Sequence, residues 1–332
     1  GWWRGVTTGD IDGDGRLDII AGNWGLNSDY QAGNEHPLQL FYGDFSDRGG
    51  DDLIETVYDP ALKAVVPRRN RDAVFASFPY LAGSFSTCRA FAEATMDQIL
   101  PLLPKPAGKA QITTLASTVF FNRGNFFEAV ELPLEAQMTP AFGVNVADFD
   151  GDGNEDIFLS QNFFCTQVET PRLDSGRGLL LLNRGGGKLE AVPGPKSGIL
   201  VYGEQRGSAV GDFDEDGRAD LVITQNGAAT KLYKNVGAKP GLRVRLAGSP
   251  GNPDGVGATM RLVFGGWMGA AREIHGGSGY WSQDSVVQVM GCSEVPTQIW
   301  IRWPGGKTTT SGIPAGTREI VVDTEGKARV IR

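Results

Sequence analysis

The chain has 332 residues, of which 47 are glycine and 18 proline, and 39 acidic residues outnumber 31 lysines and arginines for a formal charge of −8. That length supports a substantial core and two domains, and a 40 % hydrophobic content excludes a disordered polyanion. The acidic balance argues against a nucleic-acid-binding face, and no apolar run is long enough for a transmembrane helix.

The chain opens on Gly1-Trp2-Trp3 without a methionine, which reads as a processed or incompletely represented protein. The first motif follows at once: Asp10-Ile-Asp12-Gly-Asp14-Gly-Arg16-Leu-Asp18. It recurs as Asp148-Phe-Asp150-Gly-Asp152-Gly-Asn154-Glu-Asp156 and as Asp212-Phe-Asp214-Glu-Asp216-Gly-Arg218-Ala-Asp220, so 12 of the 24 aspartates lie in three short segments. Each segment places carboxylates at loop positions 1, 3, 5 and 9, a backbone carbonyl at position 7 (Arg16, Asn154 or Arg218) and glycine at position 6. Calcium takes several hard oxygen ligands in a flexible cage, and carboxylates this close repel without a cation. Three structural calcium sites are therefore expected, and their combined charge would bring −8 to about −2. They are not EF-hands, because position 12 holds Ala21, Leu159 or Ile223 and the residues after position 9 are strand-like.

Trp24 flanks the first loop as a candidate glycan or partner contact, and His36, beside Glu35, is a second candidate ligand-binding residue. A degraded fourth copy runs from Asp44 to Asp52 with Arg48 at position 5, where a guanidinium takes the cation's place. Residues 70–103 read as two helical pieces, one with Val74, Phe75 and Phe78 on a face, the other with Cys88, Phe91, Thr95, Ile99 and Leu102, stopped by Pro101 and Pro104. They form a helical insertion spanning about 59–110. Apolar runs ending in Asn122-Arg-Gly124, Asn183-Arg-Gly185 and Asn235-Val-Gly237 read as hairpin turns, with a further strand after the first two at 127–130 and 189–192. Strand, loop, strand, turn and strand make a repeating β unit over residues 1–238, of a size suited to propeller blades.

Tyr202, Glu204 and Arg206 precede the third loop as the best candidate polar cluster, and Tyr280 and Trp281 lie in a glycine-rich segment after His275. Residues 239–332 alternate as a compact β-domain with strands near 242–246, 260–264, 297–303 and 318–322. No nucleophile elbow, P-loop or dinucleotide fingerprint is present, so no catalytic residue is assigned. Cys88, Cys165 and Cys292 form neither a disulfide framework nor a zinc spacing, and are expected as buried thiols.

The three acidic loops with their following strands resemble the FG-GAP/VCBS repeats of integrin-α-type β-propellers. Gly251-Asn-Pro-Asp-Gly-Val-Gly-Ala258, Gly277-Ser-Gly-Tyr280-Trp-Ser-Gln-Asp284 and Ile301-Arg-Trp303-Pro-Gly-Gly306 resemble the ASPIC/UnbV domain, which follows such repeats in cartilage-acidic-protein-like and bacterial secreted proteins. The resemblance implies calcium in the loops and an extracellular, cell-surface or periplasmic location. The expected architecture is all-β, a partial propeller of three to four blades with a helical insertion, then a β-sandwich-like C-terminal domain. Three or four blades do not close a propeller, so further blades are expected from missing N-terminal sequence or another chain. The expected function is a calcium-stabilised scaffold or adhesion protein for a protein or glycan partner. The alternative is a polysaccharide-active enzyme working through a carboxylate and aromatic cleft.

Overall fold

Alternation of apolar and polar residues becomes strand in almost every segment where it occurs. The computed structural model describes residues 1–168 and 170–332, and its chain is all-β, with short helices between residues 71 and 102 and a few single turns elsewhere. Two compact units form, residues 1–2 with 28–115 and residues 3–27 with 116–332.

The larger unit begins with three antiparallel sheets in succession. The first contains Gly5–Gly9, Asp18–Gly22, Thr118–Asn122 and Phe127–Glu131; the second contains Ala141–Ala147, Asp156–Gln161, Leu179–Asn183 and Leu189–Val192. The third has Glu204–Gly211, Asp220–Asn226 and Ala228–Tyr233. In each sheet an acidic loop joins the first two strands. Register decides which side chains meet: Ile157 lies opposite Val146 and Leu181, while Phe158 lies opposite Leu180 and faces the other way. The Ile157 face packs on Ile20, Val119 and Phe121 of the first sheet. The Phe158 face packs on Leu221 and Ile223 of the third. Covered on both sides, Asp156–Gln161 is buried at every position. Each large apolar side chain buried this way contributes about 1.5–3 kcal/mol.

Two further sheets follow. In one, Leu242–Ala247 runs parallel to Glu319–Asp323, with Gln288–Met290 and Ala328–Val330 at the edges. The other is built on Thr259–Phe264, Gln298–Arg302 and Thr308–Gly312. Val244, Leu246 and Ile320 from one meet Met260, Leu262 and Ile299 from the other in a single core, which is the expected sandwich.

The smaller unit holds a sheet in the order Ala64–Pro67, Asp52–Asp59, Leu38–Gly43, Gly108–Ile112. It therefore takes in the degraded loop at Asp44 as well as the helices. Phe45, Phe78 and Leu81 anchor its core. The second expected helical piece is broken in two, Cys88–Ala92 and Met96–Ile99. Thr95, read as an interior helical position, instead forms a capping box with Gln98 and starts a new helix. The expectation of buried thiols is also corrected: Cys88 and Cys165 are exposed, Cys292 is half-buried, and all three are free. Cys88 is the first residue of its helix and is exposed, while Phe91 in the next turn is buried.

Among the described residues no helix is long and apolar enough to cross a membrane.

Candidate functional site

The three acidic loops fold alike because the same carboxylates satisfy the same backbone groups. Position 1 accepts from the position 6 glycine: Gly15 N to Asp10 Oδ2 at 2.9 Å, Gly153 N to Asp148 Oδ2 at 2.7 Å, and Gly217 N to Asp212 Oδ2 at 2.8 Å. Those glycines have φ of 90°, 95° and 82°, a region that strains side-chain-bearing residues. Position 9 spans two segments. Its Oδ2 accepts from the position 2 amide (Ile11, Phe149, Phe213), and its Oδ1 accepts from the amide of Asn122, Asn183 or Asn235. One aspartate thus ties each loop to the hairpin turn of the same sheet.

Positions 1, 3 and 9 converge. In Asp10, Asp12 and Asp18, in Asp148, Asp150 and Asp156, and in Asp212, Asp214 and Asp220, one carboxylate oxygen per residue lies within 4.8 Å of the others. Position 5 stands outside these clusters. Asp14, Asp152 and Asp216 each accept from the amide two residues on, of Arg16, Asn154 and Arg218. The Arg16 and Arg218 side chains reach the carbonyls of Asn122 and Ala238.

The converging groups are chemically unsettled on their own. Burial pushes the Asp10 and Asp148 carboxyls up to about 6 and Asp156 up to about 8. Among the described residues, Asp10 Oδ1 and Asp150 Oδ1 are buried without a hydrogen-bond partner. Arg123, Arg184 and Lys234 already pair with the position 3 carboxylates Asp12, Asp150 and Asp214, but the unpartnered oxygens of the first two loops fit a hard cation, which would supply the missing partner and offset the penalty on ionisation.

The degraded copy is neutralised by a residue other than the expected one. Lys105, from beyond the helices, reaches Asp44 at 2.5 Å and Asp47 at 2.7 Å, and this contact holds the Asp44 carboxyl below its usual range. Among the described residues Arg48 contributes its amide alone, to Asp44 Oδ1 at 2.8 Å. Lys105 is distant in sequence, so no local motif points to it.

Each hairpin asparagine does more than turn the chain. Asn183 Nδ2 donates to Glu155 O at 3.1 Å in its own sheet and to Ile11 O at 2.7 Å in the first sheet. Asn235 Nδ2 likewise donates to Ala219 O at 3.2 Å and to Phe149 O at 2.8 Å in the second. Replacing Asn183 with alanine leaves two buried carbonyls unpaired, for a loss of about 2–3 kcal/mol. Denaturant unfolding checks this, and a loss below about 0.5 kcal/mol would assign the amide no structural role.

All three loops also touch the C-terminal sheets, through residues outside any motif. Asp10 Oδ2 accepts from Ala271 N at 2.7 Å. Arg272 grips Glu155 with both forks, at 2.9 and 2.5 Å, with both residues buried. Arg243 bridges Asp212 at 2.5 Å and Glu319 at 3.1 Å. Gly291 lies so close to the second loop that a Cβ there would meet Asp148 Oδ2 at 1.5 Å. A cavity of about 410 Å³ opens beside these contacts, lined by Asp12, Asp152 and Asn154 on one side and Trp267 and Met268 on the other. Trp267 is 46 % exposed and stacks on Phe264 at 4.4 Å. The only sequence signal for it is its place after the Gly265-Gly266 turn.

The candidate ligand-binding residues separate. Trp24 is 4 % exposed and packs on Phe163, so it belongs to the core. His36 is exposed and stacks on Tyr58 at 3.7 Å. Glu204 is buried and engaged by Phe164 N, Asn226 and Arg206; although burial opposes it, these donors hold its carboxyl below the usual range. Arg206 lies over the Phe142 ring at 4.1 Å, and exposed Tyr202 pairs with Arg177 instead. Tyr280 and Trp281 stack at 5.8 Å, with Trp281 96 % exposed.

Residues 248–329 match the family model described as ASPIC and UnbV. The C-terminal sandwich is an ASPIC/UnbV domain. The match takes in the three strings on which the resemblance rested and also Ala271, Arg272 and Gly291, so the surface pressed on the acidic loops belongs largely to this domain. No curated protein matches the chain.

Proposed function

We propose that this protein is a calcium-stabilised scaffold of the extracellular space, cell surface or periplasm, and that it presents a binding face to a protein or glycan. Its three stacked sheets are FG-GAP/VCBS-type propeller blades in this reading. The observation that carries it is the threefold convergence of carboxylates, each cluster with at least one buried and two of the clusters with an unpartnered oxygen, on loops of one design.

Asp10, Asp12 and Asp18, with their counterparts in the second and third loops, would hold the ions. When bound, calcium supplies charge neutralisation and fixed loop geometry, with no part in bond making. The protein's own residues do the rest. Position 9 carboxylates orient the hairpins, the asparagines join sheet to sheet, and Arg243 and Arg272 hold the ASPIC/UnbV domain against the loops. Exposed Trp281, stacked on Tyr280, supports the binding side of the proposal, since a flat aromatic face suits a sugar ring or an apolar pocket on a partner.

Equilibrium dialysis of the chelator-stripped chain tests the calcium reading. About three ions per chain are expected, with Asp214→Ala removing one and Asp44→Ala leaving the count unchanged. A chain that binds none overturns the proposal.

A further inference from the structure

The cavity of about 410 Å³ between the first two acidic loops and the C-terminal sandwich falls within the roughly 300–1,000 Å³ of small-ligand sites. Its lining belongs to one compact unit, and the exposed outer faces of the first and third sheets take no part in it. The sandwich supplies an apolar wall of Leu262, Phe264, Trp267, Met268 and Met290. Trp267 sits on the hairpin that pairs Phe264 with it, stacks on the buried Phe264 ring at 4.4 Å, and stays nearly half exposed. A ring held from behind in this way is a rigid platform, and binding against it costs little side-chain entropy.

The loops supply a wall of the opposite character, with Asp12, Asp152 and Asn154 in it and exposed Ser293 beside Gly153. The acids here offer acceptors more than unpaired charge. Asp12 is paired with Arg123, Glu155 with Arg272, and Asp152 Oδ1 accepts from Asn154 N at 2.8 Å and from its Nδ2 at 3.0 Å. An ionised carboxylate only accepts, at about four lone-pair sites, so these groups keep room for further donors. Hydroxyls supply donors without charge. An organic cation would meet carboxylates that already have partners, an anion would be repelled by them, and an apolar peptide side chain would bury them without new donors. A sugar ring has what both walls need: an apolar C–H face and an edge of hydroxyls.

We propose that this cavity binds a neutral carbohydrate, with one sugar ring stacked on Trp267 and its hydroxyls donating to Asp152 and meeting the Asn154 amide. The proposal rests on the glycan side of the function proposed above, and it places that function at the seam between the acidic loops and the ASPIC/UnbV domain.

Isothermal titration calorimetry of the full chain with calcium present tests it, using cellohexaose, xylohexaose, mannohexaose and chitohexaose as neutral probes and hexagalacturonate as the anionic one. At least one neutral probe is expected to bind, and hexagalacturonate to bind at least tenfold more weakly. Trp267→Ala removes the platform and Ser293→Phe fills the cavity, both at exposed positions; each should weaken the neutral probe about five- to tenfold. Binding that ignores both substitutions, or a preference for hexagalacturonate, overturns the proposal. A neutral probe lost with Trp281→Ala but kept with Trp267→Ala overturns this site and leaves the glycan side of the function standing. No binding of any probe overturns both.

Discussion

Chelating calcium is expected to lower the melting temperature and to release the ASPIC/UnbV domain before the stacked sheets unfold. A ligand that binds only the folded state at a hundred times its dissociation constant adds about 2.7 kcal/mol per site. Three sites would add about 8 kcal/mol, comparable with the whole stability of an ordinary domain. The effect should not be uniform along the chain. Asp10 takes the Ala271 amide, Asp212 takes Arg243, and Asp148 lies against Gly291, so the carboxylates that would hold the ions also form the seat of the C-terminal domain. Without a cation, burial favours their protonation or exposure, and either change loosens that seat. Calorimetry with and without chelator reads the first effect. Limited proteolysis in the segment 238–241, between the third sheet and the sandwich, reads the second. An unchanged melt in chelator would sink the calcium reading, and a lower melt with no new cleavage would separate metal binding from domain docking.

Much of this arrangement was visible in residue order, and the reason is physical. A loop such as Asp148–Asp156 closes on itself through contacts no more than eight residues apart, so most of its shape follows from its spacing, and only the tie from the Asn183 amide to Asp156 comes from farther away. The alternation in Leu242–Ala247 and Gln298–Arg302 likewise carries the sandwich, because one face of each strand must reach the same core. What sequence could not show depends on distant partners. Asn183 reads as a turn residue, yet its contact with Ile11 spans most of the first two sheets. Lys105 replaces Arg48 as the counter-ion of Asp44 because the chain returns there after the helices. Trp24 beside a polar loop reads equally as a partner contact or a core aromatic, and only strand Asp18–Gly22, which delivers it into the core, decides between them. Arg243 and Arg272 sit in strand segments with no motif around them, and their loop partners Asp212 and Glu155 are brought to them only by the docking of the domain.

Replacing Arg272 with alanine should destabilise the protein by about 3–5 kcal/mol, since it strands the buried Glu155 carboxylate without a counter-ion. Arg272 also donates to Val289 O at 3.1 Å, so a buried carbonyl loses its partner in the same step. The loss should be far smaller when both members of the pair go. Arg272→Met with Glu155→Leu keeps the volume and removes both charges, and buried pairs replaced in this way are often neutral or stabilising. A double-mutant cycle followed by urea unfolding measures the coupling, and a cost below about 1 kcal/mol for the single variant would mean that water reaches Glu155. The same variants address how the domain acts on the second loop. The Glu155 charge raises the neighbouring Asp148 carboxyl and the Arg272 charge lowers it. If the guanidinium mattered only as a charge, Arg272→Ala would leave the loop more negative and tighten calcium binding there. We expect weaker binding, because Arg272 fixes Glu155 one residue before Asp156, whose two oxygens set the loop against the Asn183 hairpin. The sign of that affinity change distinguishes a domain that clamps the loop from one that merely neutralises it.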